Sequence, residues 1–319
     1  MKIIDHLNKN KGKTLFSFEI IPPVKGKSVK DIFDVIDPLM EFNPPFVDVT
    51  YHREEYILKT RENGLLEKVS YRKRPGTVGI CAAIMNKYHV DAVPHIICGG
   101  FSKEETENAL IDLDFLGIDN VLVLRGDPRK MDGGKFIPEP NGHNYAGELL
   151  QQVMEMNAGK YLDEELQHGS KTQFCAGVAG YPEKHNEAPN MHSDLKFLKQ
   201  KVDLGAEFIV TQMFFDNQRF FDFVKECREF GIEVPIIPGL KPLTTKGHLT
   251  LLPKVFNIDI PDDLYEAANK CKTNAEVTQV GIEWGIQQCK ELMDFGAPLL
   301  HFYTMSRSET IKAIASKIY

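Results

Sequence analysis

The chain has 319 residues, 42% of them apolar and 26% charged, with a formal net charge of -7 at pH 7. That is ample apolar material for a large core, and the acidic balance argues against nucleic acid as the main partner. No run of about 18 apolar residues occurs, so no membrane span is expected, and the polar start from Met1 to Lys13 lacks the apolar stretch of a secretory signal. The six cysteines, Cys81, Cys98, Cys175, Cys227, Cys271 and Cys289, form no C-x-x-C pair. Neither a zinc ribbon nor a thioredoxin-like motif is present, and reduced thiols in a cytoplasmic protein are expected.

In chain order, the first apolar run is 14–21, Thr14-Leu15-Phe16-Ser17-Phe18-Glu19-Ile20-Ile21, leading into Pro22-Pro23. Side chains alternate faces along a strand, so Ser17 and Glu19 share one face while Phe16, Phe18 and Ile20 share the other. Further strands are expected at 46–50, 77–83, 120–125, 173–179, 207–213, 235–239 and 298–304. Helical periodicity occupies 28–42, 54–70, 102–116, 145–158, 191–204, 217–230, 262–295 with a break, and 306–318. Strands separated by helices of this length read as parallel βαβ units. Eight such units in roughly 250 residues or more predict an α/β fold, a (β/α)8 TIM barrel.

Helix ends agree with this division. Ser102-x-x-Glu105 and Ser306-x-x-Glu309 read as capping boxes, Ser28 and Asp216 as N-caps, and Gly205, Gly231 and Gly296 as left-handed residues just past helix ends. The longest irregular stretch, Pro128 to Asn144, follows the fourth strand. A loop of that length inside a compact domain is usually functional. Gly12-Lys13-Thr14 and Gly26-Lys27-Ser28 imitate the end of a phosphate-binding loop, but the required earlier glycine is missing from both. No G-x-G-x-x-G follows any strand.

The C-terminal ends of barrel strands build active sites. This singles out Glu19, Thr50, Tyr51, His95, Arg125-Gly126-Asp127, Tyr181, His185, Gln212 and Arg307. A carboxylate in a low-dielectric interior tends to keep its proton near neutral pH, which suits a general acid. For Glu19 a structural ion pair is an equal alternative. Arg125 offers a planar fork to a phosphate, Gly126 permits close backbone approach, and Asp127 accepts hydrogen bonds from a heterocycle. The alternative there is a turn with a local Arg–Asp pair. Gln212 shares a face with Phe208 and Val210 and presents donor and acceptor side by side, to a nitrogen-rich ring or to loop backbone. Asp194 and Lys201 lie seven apart on one helix face, turned to one bound molecule or to solvent. Tyr181, His185, His192 and Asp194 match no metal-ligating helical spacing, and no metal site is expected. Phe214, Phe215, Phe220, Phe221 and Phe223 are expected to pack the barrel against its helices.

As an ordered set these motifs resemble the methylenetetrahydrofolate reductases, flavin-dependent barrel enzymes of one-carbon metabolism. The matching stretches are Phe16-Ser17-Phe18-Glu19 with Pro22-Pro23, Val49-Thr50-Tyr51, Pro94-His95, Leu124-Arg125-Gly126-Asp127 and Tyr145-Ala146. They continue with Tyr181-Pro182-Glu183-x-His185, Asp194 through Lys201, Thr211-Gln212, Pro238-Gly239, and His301-Phe302-Tyr303-Thr304 with Arg307. They span nearly the whole chain in family order.

The resemblance implies one FAD-binding catalytic barrel domain over 1–319. It implies reduction of 5,10-methylenetetrahydrofolate to 5-methyltetrahydrofolate, with NADH or NADPH as donor, in the cytoplasm. A nicotinamide reduces the flavin and leaves; the folate follows over the same flavin face, and Glu19 protonates it at N10 to open the five-membered ring. By the same match Asp127 also approaches the pterin and joins Glu19 as a catalytic residue. Thr50 falls where the family contacts the nicotinamide donor. Tyr51, His95, Arg125, Gly126, Asp127, Tyr145, Ala146, Tyr181, His185, Asp194 and Lys201 fall at flavin-contact positions. Gln212 and Arg307 fall at folate-contact positions. The implied partners are a small-molecule folate and further copies of the chain in a homo-oligomer, without nucleic acid or membrane.

Three departures stand out. His52-Arg53 follow Tyr51 where Gly-Ala is frequent, the loop from Gly239 to Gly247 has no aromatic to stack on a pterin, and Glu148 replaces an Asp after Tyr145-Ala146. Eukaryotic relatives append a regulatory domain that binds S-adenosylmethionine; a bacterial-type barrel without it is expected here. Three other readings stand beside this one: a flavin-dependent barrel oxidoreductase of the proline-dehydrogenase kind, a flavin-free folate-dependent methyltransferase barrel, and a barrel kept only as a binding module.

Overall fold

The computed structural model describes residues 1–128 and 134–319, with the backbone alone at Glu55, Tyr71 and Arg72. The first elements are α1 (Ile3–Lys9), β1 (Leu15–Ile20), α2 (Val29–Ile36) with a 3-10 turn (Asp37–Phe42), β2 (Phe46–Val49), β3 (Glu55–Thr60), β4 (Leu66–Arg72) and α3 (Thr77–Tyr88). Then come β5 (Asp91–Ile97), α4 (Lys103–Phe115), β6 (Asn120–Leu124), α5 (Ala146–Asn157), β7 (Cys175–Gly180), α6 (Met191–Leu204), β8 (Phe208–Thr211) and α7 (Asn217–Glu229). The last are β9 (Ile236–Ile237), β10 (Gly239–Leu240), α8 (His248–Phe256), α9 (Asp262–Lys270), α10 (Asn274–Phe295), β11 (Leu299–Tyr303) and α11 (Glu309–Ile318).

One parallel sheet runs in the order β10-β11-β1-β2-β5-β6-β7-β8-β9. Strands β9 and β10 are halves of one strand broken at Pro238, whose carbonyl still accepts from the His301 amide at 3.1 Å. One half pairs with β8 and the other with β11, so the sheet closes into the expected barrel. Alternation along β1 falls as the sequence predicts. Phe16, Phe18 and Ile20 turn outward into the core shared with the helices, together with Phe214, Phe220 and Phe223. Phe46, Val93, Leu122, Cys175, Phe208, Val210, Ile237 and Leu299 fill the barrel, and α1 plugs one end with Ile3 and Leu7. The Ile3 amide donates to the Asn120 side chain at the start of β6, which places that plug at the N-terminal end of the strands.

Three expectations are corrected. Residues 77–83 are not a strand but the start of α3, where buried Thr77, Ile80, Cys81 and Ile84 recur at helical spacing. The third barrel strand is β5, disguised by Pro94, since a proline within a run argues against a central strand. It is tolerated because pairing with β2 ends at Pro94 and pairing with β6 begins at His95. Residues 54–70 are not a helix but the antiparallel hairpin β3–β4, with Ile57 opposite Val69 and Leu58 opposite Lys68. It turns through Asn63-Gly64, where Gly64 has φ 78°, a hairpin signal that outweighs the helix-forming Leu, Glu and Lys around it. Ser306-x-x-Glu309 is not a capping box: α11 starts after Ser308 with no side-chain cap.

Ser28, Ser102 and Asp216 do cap α2, α4 and α7. Helices α1 and α8 are additions to the predicted set. Of the long loop from Pro128 to Asn144, residues 129–133 lie outside the described residues, and the remainder carries no helix or strand. Among the described residues no helix is long and apolar enough to cross a membrane.

Helix α10 approaches the loop after β10 so closely that a Cβ at Gly281 would lie 2.0 Å from the Leu243 carbonyl oxygen. Gly281→Ala is therefore expected to destabilise the fold by about 1–3 kcal/mol, read as a lower urea midpoint with unchanged slope. An unchanged midpoint would mean that the loop yields freely.

Candidate active site

Above the apolar filling, the inward positions become polar. In register, Glu19 of β1 stands beside Asp48 of β2 and Tyr303 of β11, and Ser17 beside His301. Glu19 is 7% exposed, His95 6%, Lys241 8%, and Asp48 and His301 1% each, while Tyr303 is half-buried. His95 Nε2 lies 3.4 Å from Asp48 Oδ2 and 3.8 Å from Glu19 Oε2. Ser17 Oγ and His301 Nδ1 are hydrogen-bonded at 2.8 Å. The Tyr303 hydroxyl donates to the Thr211 carbonyl at 2.5 Å.

Burial pushes the Glu19 carboxyl up to about 7; His95 pulls it down, Asp48 pushes it further up, and Lys241 pulls it down. Burial brings Lys241 down to about 8, opposed by Glu19 and assisted by Arg307. Burial also lowers His248 to about 4, with Lys241 and Arg307 adding to the shift. Arg307 itself is exposed and acts on Lys241 and His248, while Lys241 acts on the carboxyl.

A carboxyl raised in the folded state binds more protons there than in the unfolded chain, between its ordinary range and about pH 7. Stability is therefore lost as pH rises through that window, and ionised Glu19 costs at most about 3 kcal/mol. Glu19→Gln is expected to be more stable than the wild type by up to about 3 kcal/mol at about pH 8, and equal to it below about pH 4.5. Urea unfolding at the two pH values checks this; a gain that does not depend on pH would contradict it.

A second group of residues surrounds the ends of β6 and β7. Arg125 pairs with Glu187, and its guanidinium lies 4.5 Å from the Phe136 ring centre and 5.1 Å from that of Tyr145. Its Nε is buried without a hydrogen-bond partner. Gly126 has φ 83°, and a Cβ there would press on Ile97 at 3.2 Å. Asp127 is exposed at the rim, where Arg53 donates to its carbonyl at 2.8 Å. The Tyr181 and His185 rings meet edge to face at 4.7 Å.

Asp194 accepts from the His185 amide at 2.8 Å, and Lys201 donates to the Ala179 carbonyl at 3.1 Å. Both therefore turn toward the end of β7, sharing the face that their seven-residue spacing predicts. Burial lowers Lys201 to about 8 against the opposing pull of Asp194. Tyr145 precedes Ala146, the first residue of α5. Thr50 donates to the Ile20 carbonyl at 3.3 Å, and the Tyr51 ring meets Phe101 at 4.8 Å. Gln212 Oε1 accepts from the Met213 amide at 2.9 Å.

A family model described as methylenetetrahydrofolate reductase matches residues 2–319. The chain belongs to the methylenetetrahydrofolate reductase family. Methylenetetrahydrofolate reductase (NADH) 1 of Arabidopsis thaliana is 31% identical over 318 residues, covering 96% of this chain and 49% of that protein. The chain thus spans about half the length of the curated plant relatives it matches. The 5,10-methylenetetrahydrofolate reductase of Escherichia coli is 29% identical over 315 residues, covering 97% of this chain and 94% of that protein. A solved Clostridium thermocellum protein, described as uncharacterized and binding two copies of 5-methyl-5,6,7,8-tetrahydrofolic acid, shares the fold. Its TM-score is 0.59 at 12% identity, covering 99% of this chain and 97% of that one.

The family motifs thus fall into two groups. Arg125, Gly126, Tyr145, Tyr181, His185, Asp194 and Lys201 gather around the ends of β6 and β7. His95, placed with the flavin contacts by resemblance, lies beside Glu19 inside the barrel. The sequence reading assigns no role to Asp48, His301 or Lys241. Asp48 had a signal: in Phe46-Val47-Asp48-Val49 it shares the inward face with Phe46. Lys241 had none, because it reaches Glu19 only through closure of the barrel.

Proposed function

We propose that this family member reduces 5,10-methylenetetrahydrofolate to 5-methyltetrahydrofolate with NADH or NADPH, as a cytoplasmic FAD enzyme whose catalytic domain is the barrel over 1–319. The observation that carries the reading is Glu19, a buried carboxyl on the inner face of β1 beside Asp48 and His95, which burial pushes up to about 7.

The residues present fit a flavin. Arg125 Nε is buried without an acceptor, Lys201 is a half-buried amine at the end of β7, and Gly126 keeps a side chain off the strand end. A diphosphate supplies acceptors for such cations. Thr50, Tyr51, His95, Arg125, Gly126, Asp127, Tyr145, Ala146, Tyr181, His185, Asp194 and Lys201 are the residues assigned to the flavin and the nicotinamide. When bound, the flavin supplies two-electron transfer between nicotinamide and folate.

The chain's own part is proton delivery and orientation. The bridging carbon of the substrate is bonded to two nitrogens. One carbon–nitrogen bond breaks readily only if the departing nitrogen leaves as a neutral amine, so it must receive a proton. Glu19, its carboxyl pushed by burial up to about 7, passes that proton to N10; the carbon left behind is the electrophile that is reduced. Gln212 offers donor and acceptor to the pterin edge, Asp127 accepts from it, and Arg307 offers its fork to the glutamate carboxylates. The resemblance extends the proposal to a homo-oligomer.

The test is direct. Purified protein is expected to be yellow, to bleach with a reduced nicotinamide under anaerobic conditions, and to recover its colour on adding methylenetetrahydrofolate. A colourless protein that FAD cannot reconstitute would overturn the reading in favour of a flavin-free barrel. Colour that bleaches but is not restored by the folate would point to a different flavin oxidoreductase.

A further inference from the structure

Past the paired residues of β5 and β6, the Gly99 amide donates to the Arg125 carbonyl at 3.2 Å. Two residues further on, the Asp127 carbonyl accepts from a side chain instead, Arg53 Nη2 at 2.8 Å. Arg53 comes from the loop between β2 and β3 and lies across Gly99 and Gly100. A Cβ on Gly99 would stand 3.2 Å from Arg53 Nη1 and 3.4 Å from the Phe136 ring. A Cβ on Gly100, where φ is 87°, would stand 3.1 Å from the Arg53 Cβ. The arginine stem and fork thus fill the space that two absent side chains leave, and the seat aims the fork at the loop that carries Asp127.

The charge matters as well as the backbone contact. Asp127 is exposed as a residue, yet desolvation pushes its carboxyl up, and Arg53 pulls it down. Its neighbour Arg125 is committed to Glu187 and lies against the Phe136 and Tyr145 rings. After β7, the Tyr181 hydroxyl is pushed further up by the Asp127 charge. A carboxylate accepts hydrogen bonds more strongly than a carboxylic acid does, and a cation alongside favours the carboxylate.

We propose that Arg53 is a positioning residue for Asp127: seated on Gly99 and Gly100, it holds the loop that carries Asp127 and sets a positive charge beside the carboxylate that accepts from the pterin. The inference rests on the reading of Asp127 as a pterin contact.

The experiment is a titration of the Asp127 carboxyl in the purified holoenzyme by carbon-13 NMR of labelled aspartate, with the resonance assigned by its loss in Asp127→Asn. Arg53→Met keeps an unbranched stem over the glycines and removes the charge. The Asp127 midpoint is expected to rise in it by up to about one pH unit. Arg53→Lys keeps the charge without the fork and is expected to stay nearer the wild-type midpoint. Packing alone predicts otherwise, because Met would fill the seat and leave the midpoint unchanged, while a loosened rim would admit water and lower it. Either result would overturn the proposal. If Arg53→Met does not fold, Arg53→Gln carries the same expected rise. The titration needs no substrate. A raised midpoint in a protein whose KM for methylenetetrahydrofolate ignores Asp127→Asn would leave the contact standing and sink the pterin reading.

Discussion

Glu19→Gln is expected to slow reduction of methylenetetrahydrofolate by roughly 10²- to 10⁴-fold while leaving flavin binding and nicotinamide oxidation at wild-type levels. Glutamine matches the protonated carboxyl in shape and hydrogen bonding but has no proton to release. The substitution therefore spares the packing of β1, whose outward Phe16, Phe18 and Ile20 are untouched. It removes only the acid, so the loss belongs to the step in which the substrate ring opens. Stopped-flow measurement of the two half-reactions separates them. Full folate turnover by the variant would refute the role, and equal loss in both half-reactions would mean that Glu19 serves the flavin site as a whole.

Arg125→Ala is expected to weaken flavin binding by about 10- to 100-fold, the worth of a charge-assisted hydrogen bond to a phosphate. Its partner Glu187 is half exposed, with 48% of its side chain accessible, so losing the pair leaves no stranded buried charge. The folding cost should accordingly be small, and the deficit should appear in affinity. Arg125→Lys should recover only part of it, because an ammonium keeps the charge but not the planar fork. Quenching of flavin fluorescence on titration into apoprotein measures both variants. Unchanged affinity would confine Arg125 to packing between Phe136 and Tyr145.

Much of the barrel was legible because period-two alternation and capping are local. Ser17 and Glu19 could be set on one strand face from six residues of sequence, and the seven-residue spacing of Asp194 and Lys201 put both on one helix face, which the structure turns toward the end of β7. Most of what failed was non-local. Pro94 hid β5 because its tolerance depends on which neighbour each half of that strand pairs with. With β5 misplaced, His95 could not be set beside Asp48 and Glu19. The hairpin β3–β4 was obscured by helix-forming side chains, although its Asn63-Gly64 turn stood in plain view. Lys241 becomes a neighbour of Glu19 only when the strand broken at Pro238 joins β8 to β11, and no local pattern encodes that closure.

The central claim is that an enclosed, protonated Glu19 drives folate reduction, and one measurement meets it most directly. This is the pH dependence of single-turnover reoxidation of the reduced wild-type protein by methylenetetrahydrofolate. The rate is expected to be level below pH about 7, where the Glu19 carboxyl keeps its proton, and to fall tenfold per pH unit above it. A rate that stays level through the alkaline range, or that rises with pH, would contradict the account.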